Sequence, residues 1–234
     1  MSKPYKFIVL RPNVYSLHFE EKPKYALYQM VQLLIQQIPE LIEVTNTFNR
    51  INIFTPADFS TKTLIDRLDK IDFFSCHNFS SNQIWELPIC FDASFTTDLN
   101  DVFCGSQTKI EAYRKAFLET TFTLEFYGFL PGFGYLSGLP KSLHLDRKKN
   151  PDKALIPGSV AIGGEQVGVY PQHSPGGWQC IGNCPVPWIN FDQEPPVFVR
   201  LGDRVRFVEI DLNRHKEIAL AVEMNVYQPL CLTS

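Results

Sequence analysis

Apolar and polar positions alternate over Lys6 to Leu10 and again over Val14 to Phe19, a period of two that predicts two strands joined by the Pro12-Asn13 turn. The period then lengthens. From Lys24 to Ile38 the residues Leu27, Met30, Val31, Leu34, Ile35 and Ile38 recur every three or four positions until Pro39 ends the pattern, which predicts a helix with one buried face. Alternation returns over Leu41 to Thr47 and Asn49 to Phe54. A second helix is expected over Lys62 to Lys70, with Leu64, Ile65 and Leu68 inward and Ser60 or Thr61 as its cap. The order ββαββα allows two helices to cover one face of an antiparallel sheet, so residues 1–82 are expected to form a small ferredoxin-like α/β subdomain.

Residues 83–234 follow a different rhythm. Gln83 to Phe91 reads as a strand, Thr108-Lys-Ile-Glu111 has the form of a capping box, and the helix it opens carries Ile110, Tyr113 and Phe117 on one side. Thr121 to Phe129 returns as a strand. Short strands broken by Gly and Pro come next: Val160 to Ile162, Gln166 to Tyr170, Trp178 to Gly182, Val197 to Arg200 and Arg204 to Ile210, the last fed by the Gly202-Asp203 turn. Frequent short strands favour a barrel or sandwich, while residues 211–234 read as peripheral. The fold class expected for the whole chain is α+β.

Composition narrows the function. With 44% hydrophobic residues in 234, the chain can form a packed core, which argues against disorder. The net charge of −3 is small, and basic residues are scattered without interleaved aromatics, which argues against nucleic acid and anionic membrane as partners. The apolar run Phe7 to Leu10 is too short for a signal sequence and no run is long enough to span a bilayer, so a cytoplasmic location is expected. The six cysteines form no CxxC pair and the five histidines show no ligand spacing, so no metal is expected.

The chemistry concentrates between Phe129 and Cys184, a stretch dense in Gly, Pro and aromatics and poor in charge. Phe129 to Tyr135 sets apolar side chains on Pro-Gly backbone unsuited to regular structure, so with Trp178 it is expected to wall a small-ligand pocket, Gln166 and Gln179 supplying neutral hydrogen-bonding groups. Gly163-Gly164 and Gly176-Gly177 admit positive φ. They read either as tight hairpin turns or as nests of amide N–H groups facing an anion. No Walker loop or dinucleotide fingerprint is present, and His173 beside Ser174 points to the opposite face of a strand, which argues against a nucleophile–base dyad.

At Gly128-Phe-Leu-Pro-Gly-Phe133 with Tyr135-Leu136, at Gly158-Ser-Val-Ala-Ile162, at Tyr170-Pro171, at Ser174-Pro-Gly-Gly-Trp-Gln179 with Ile181-Gly182, and at Gly202-Asp-Arg-Val-Arg-Phe207, the chain resembles the KipI family, which includes the B subunit of bacterial 5-oxoprolinase and is also known as allophanate hydrolase subunit 1. The resemblance implies a C-terminal cyclophilin-like β-barrel over residues 83–234, preceded by the α/β subdomain. It implies a KipA-type partner subunit and, with ATP bound at the level of the assembly, opening of the lactam of 5-oxoproline to glutamate. The alternatives within the family are half of a urea- or allophanate-type carboxyltransferase or hydrolase, and a non-catalytic regulator that binds a sensor kinase. Carried over position by position, the site-forming residues are Phe129, Pro131, Gly132 and Tyr135 on one loop, Gly158 and Ser159 on a second, and Gln166, Tyr170, Ser174, Gly176, Gly177 and Trp178 on a third. Two departures accompany the match: Phe117 stands where the family usually has a histidine, and Asp152 and Ala154 stand where arginines are usual.

Overall fold

A computed structural model describes residues 3, 5–20, 27–72 and 83–233. The expected helix start at Lys24, the segment around the expected boundary near residue 82, and Cys76 lie outside them. The chain forms two compact units, Met1–Ser81 and Asn82–Ser234.

In the first unit, β1 (Lys6–Arg11), β2 (Val14–His18), β3 (Glu43–Asn46) and β4 (Arg50–Phe54) form one antiparallel sheet in the order β1-β2-β4-β3. The helices are α1 (Leu27–Gln37) and α2 (Thr61–Leu68). Tyr15 and Leu17 pair with Ile53 and Ile51 across β2 and β4. All four are buried in one cluster with Leu27, Met30, Val31 and Leu34 of α1 and Leu64 and Leu68 of α2. The inward periodicity thus has a single destination, the shared core under both helices. Ser60 caps α2, its hydroxyl accepting from the Thr63 amide at 3.0 Å.

The second unit is a closed barrel. Its strands are β5 (Gln83–Cys90), β6 (Thr121–Tyr127), β7 (Gly134–Ser137), β9 (Ser159–Gly163), β10 (Gln166–Val169), β12 (Gln179–Asn183) and β13 (Arg204–Ile210). They run in the order β12-β9-β10-β7-β6-β13-β5, and the pairing of Asn183 with Cys90 closes the ring. Among the described strands only β5 and β13 pair in parallel; β14 (Leu230–Thr233) adds to the free side of β5, and β8 (Asp152–Leu155) pairs with β11 (Ser174–Gly176) as a separate ribbon. The helices are α3 (Thr97–Val102), α4 (Gln107–Leu118) and α5 (Leu212–Glu223).

Several expectations are corrected here. The expected strand Val197 to Arg200 is irregular, because Pro195, Pro196 and the turn at Gly202 leave no room for a ladder. Helix α4 starts at Gln107 after Ser106, ahead of the Thr108-Glu111 box. Residues 211–234 are integral: α5 plants Ile218 in the barrel core and β14 extends the sheet.

Period-two alternation also sorts the barrel wall. Along neighbouring strands β7, β10, β9 and β12, Leu136, Val167, Val169, Val160, Ile162 and Ile181 belong to the large interior core. Their sequence neighbours Tyr135, Ala161 and Cys180 belong to a second, smaller cluster with Phe133, Leu155, Tyr170 and Trp178. The outer face of one side of the barrel is therefore a second apolar surface, and the candidate site is built on it.

Candidate functional site

Small residues make this outer face flat enough for aromatic rings to lie on it. A Cβ at Gly163 would meet the Trp178 ring at 2.5 Å, and one at Gly168 would meet the Phe133 ring at 2.5 Å. Above them the rings interlock edge to face: Phe133 to Tyr170 at 5.1 Å, Phe133 to Trp178 at 5.5 Å, and Tyr135 to Trp178 at 5.7 Å. Phe133, Tyr170 and Trp178 are buried. Such pairs add about 0.5–1.5 kcal/mol each beyond area burial, so the wall is rigid.

The rings enclose one side of a cleft of about 390 Å³, completed by Arg147, Lys148, Pro151, Pro175, Gly176 and Gly177. Phe129 stands at its mouth, 62% exposed, with its backbone at φ +66°. A non-glycine residue in that region is strained, by about 1–3 kcal/mol, and here the strain presents an aromatic edge to both Phe133 and Tyr170. Helix-breaking Pro131 and Gly132 turn the loop so that Phe133 dives inward while Phe129 stays out.

The positive side chains of the cleft differ in state. Lys148 Nζ lies 2.7 Å from Asp98 Oδ1 and 2.5 Å from Asp152 Oδ2. Burial lowers the pKa of this ammonium, but the hydrogen bonds to Asp152 and Asp98 outweigh it and the net shift is upward, so Lys148 is a fixed cation. Asp98 also accepts the Cys180 amide at 2.6 Å. Arg147 lies with its guanidinium 5.7 Å from the Trp178 ring centroid and, among the described residues, within ion-pair distance of no carboxylate. Burial pushes the Tyr170 phenol up to about 12 and the Cys180 thiol up to about 11, so both stay protonated at neutral pH.

Of the residues singled out in the sequence, Phe129, Tyr135, Tyr170, Gly176, Gly177 and Trp178 line this cleft. The others sit elsewhere. Pro131 is exposed on the loop, and Gly132 packs against Ile189, where a Cβ would come within 2.7 Å. Gly158, at φ +80°, is a tight turn against the Cys184 carbonyl. Ser159 donates to the Ile156 carbonyl and faces a neighbouring depression with Cys180, Asp152 and Lys153. Gln166 ends the β9–β10 hairpin, opposite Gly163. Ser174 donates to the carbonyl of Pro175, and Gln179 donates to Asp146 O rather than into the cleft.

Of the two readings of the glycine pairs, the tight hairpin turn holds for Gly163-Gly164. Gly163, Gly176 and Gly177 are absent from the glycines at positive φ. Gly164, at φ +68°, turns the hairpin, and its amide donates to Leu145 O. At Gly163 and Gly176 the missing Cβ makes room for the Trp178 ring and the Tyr170 hydroxyl, not for an anion. Arg147, Lys148 and Pro151 line the cleft although none is among the site-forming residues carried over from the resemblance, and Asp98 pairs with Lys148. Their placement depends on long-range pairings, Lys148 N to Gly177 O at 2.7 Å and Gln179 Nε2 to Asp146 O at 3.0 Å. Phe117 is fully buried against Phe122 and Phe207 in the interior core, apart from the cleft.

The comparisons with known proteins agree with this architecture. A family model described as carboxyltransferase domain, subdomain C and D, matches residues 14–199. The B subunit of 5-oxoprolinase from Haemophilus influenzae is 34% identical over 175 residues, covering 74% of this chain and 82% of that protein. A crystal structure of TTHA0988 superposes with a TM-score of 0.69 at 25% identity, over 84% of this chain and 39% of that one. The K. lactis urea amidolyase shares the fold, with a TM-score of 0.72 at 16% identity over 94% of this chain and 16% of the amidolyase. A family match over most of the chain, with the Gly-Phe-Leu-Pro-Gly-Phe loop and the Ser-Pro-Gly-Gly-Trp strand meeting on one aromatic cleft, leads to one conclusion: the chain belongs to the carboxyltransferase subdomain C and D family, that of KipI and the 5-oxoprolinase B subunits.

Proposed function

We propose that this chain is a subunit of an ATP-dependent 5-oxoprolinase that opens the lactam of 5-oxoproline to glutamate together with a KipA-type partner subunit. The observation that carries the reading is the cleft itself. Aromatic walls, a volume of about 390 Å³ and, at its edge, a guanidinium with no ion-pair partner among the described residues suit a small ring amide. The relative that is a 5-oxoprolinase B subunit supports the choice of substrate.

Chemically, the cleft is built to bind and orient. Its Tyr170 phenol is protonated at neutral pH, as is the Cys180 thiol of the neighbouring depression, and the nearby Ser174 hydroxyl is engaged with a backbone carbonyl. Two carboxylates face one ammonium at Lys148, an arrangement unsuited to a triphosphate. We therefore assign the nucleotide and the attacking group to the assembled enzyme, with this chain inactive alone. The five cysteines among the described residues are free thiols, suited to a reducing cytoplasm. In the same reading the N-terminal layer is ferredoxin-like and residues 83–234 are a cyclophilin-like barrel.

A second reading, half of a urea- or allophanate-type carboxyltransferase, is favoured by the description of the matching family. One experiment separates the two. The chain is purified with its KipA-type partner and assayed for ATP-dependent release of glutamate from 5-oxoproline. A stable complex without turnover contradicts the first reading, and carboxyl transfer from biotin to urea by the same complex supports the second.

A further inference from the structure

We infer that Arg147 is the carboxylate anchor of the cleft, and that the ligand is a monoanion with a flat body seated on the aromatic wall. The inference rests on the reading of this cleft as the substrate site. Of the two cations that line the cleft, Lys148 is neutralised by Asp98 and Asp152, whereas Arg147 has no carboxylate partner among the described residues. The planar guanidinium offers a two-pronged donor edge that matches a carboxylate, and its face can rest on Trp178 at the same time.

The backbone that carries Arg147 is also held in place. Its neighbours on either side are fastened to the residues flanking Trp178: Asp146 O accepts from Gln179 Nε2 at 3.0 Å, and Lys148 N donates to Gly177 O at 2.7 Å. Residues 146–148 and 177–179 are thereby laced together, which sets the Arg147 backbone beside Trp178, with the guanidinium 5.7 Å from its ring centroid. A single uncompensated cation beside the acidic Asp98 and Asp152 selects one negative charge and disfavours a polyanion. The class that fits is a small ring carboxylate.

The test titrates the full chain, wild type and the variants Arg147→Ala and Arg147→Lys, with 5-oxoproline, with 2-pyrrolidinone, which is the same ring without its carboxylate, and with benzoate. Arg147 is exposed, so both variants keep the fold. Arg147→Ala is expected to weaken 5-oxoproline and benzoate by at least about tenfold and to leave 2-pyrrolidinone within about twofold. Arg147→Lys should fall between, because a lysine keeps the charge without the fork. Equal losses for all three ligands, no loss, or no binding of any carboxylate overturns the inference. Arg147-dependent binding of benzoate without binding of 5-oxoproline preserves the anchor and overturns the substrate proposed above.

Discussion

The ammonium of Lys148 sits 2.7 and 2.6 Å from Oδ1 and Oδ2 of Asp98, and Oδ2 also accepts the Cys180 amide at 2.6 Å, so a single carboxylate ties the loop bearing Arg147 to strand β12. The Lys148 and Asp98 side chains are 15% and 9% exposed, and the pair is shielded from solvent. Replacing Asp98 with Ala strands the Cys180 amide and leaves Lys148 with the more exposed Asp152 as its remaining carboxylate. The expected loss is about 1–3 kcal/mol in urea unfolding, because the buried Cys180 amide loses its acceptor. Asp152, 39% exposed, should cost less than about 1 kcal/mol on the same substitution. Equal losses at the two positions would refute this division.

Gly176 is a packing position. Its Cβ would fall 2.4 Å from the Tyr170 hydroxyl oxygen and 2.6 Å from Leu155 Cδ1. Gly176→Ala should therefore destabilise by about 1–3 kcal/mol through overpacking, whereas Ser174→Ala, which loses a bond to an adjacent carbonyl, should cost less than about 1 kcal/mol. Thermal melts of the two variants decide the order.

His215 gives the barrel a pH dependence. Asn183 Nδ2 donates to Pro157 O, so its Oδ1 accepts from His215 Nε2–H at 2.7 Å. Burial lowers the imidazole pKa below its ordinary value of 6.5. The unfolded chain therefore takes up the proton first, and the stability of the neutral histidine is present above about pH 6.5 and declines below it, towards the lower folded value. The gap in melting temperature between wild type and His215→Gln should narrow from pH 7.5 to pH 5. A gap that widens contradicts the assignment.

Position 117 invites a direct check of the family departure. Phe117 is fully buried among Phe122 and Phe207, so a histidine there meets no cleft and no water. Phe117→His should lower stability by about 2–4 kcal/mol, from lost aromatic packing and a buried polar ring, and should leave 5-oxoproline turnover by the assembly no higher. Increased turnover would return position 117 to the chemistry.

What the sequence made legible is what local periodicity encodes. Helix α1 and strands β1 to β4 announce themselves because each buries one face, and so do β5, β6, β9, β10, β12 and β13. Strands β7, β8 and β11 span only three or four residues, and Gly134, Pro175 and Gly176 interrupt two of them, so no period shows. Helix α5 hides because Ile218 is its one buried residue. In the cleft the aromatics were readable, since rings on Pro-Gly backbone have few other uses. The role of the glycines was not: a missing Cβ shows that something comes close, without showing whether it is a ligand or a ring. The placement of Arg147 and Asp98 was not legible, because their partners lie at residues 178 and 148.

The central claim is that the Phe129 cleft is where the assembly handles its substrate, and Phe129→Gly tests it most directly. Glycine accepts φ +66° without strain, and the Phe129 ring is mostly exposed, so the variant should be at least as stable as wild type. The decisive measurement is ATP-dependent glutamate release from 5-oxoproline by the complex with the KipA-type partner. A fall of about tenfold or more is expected for Phe129→Gly with the complex intact. Turnover equal to wild type would contradict the claim.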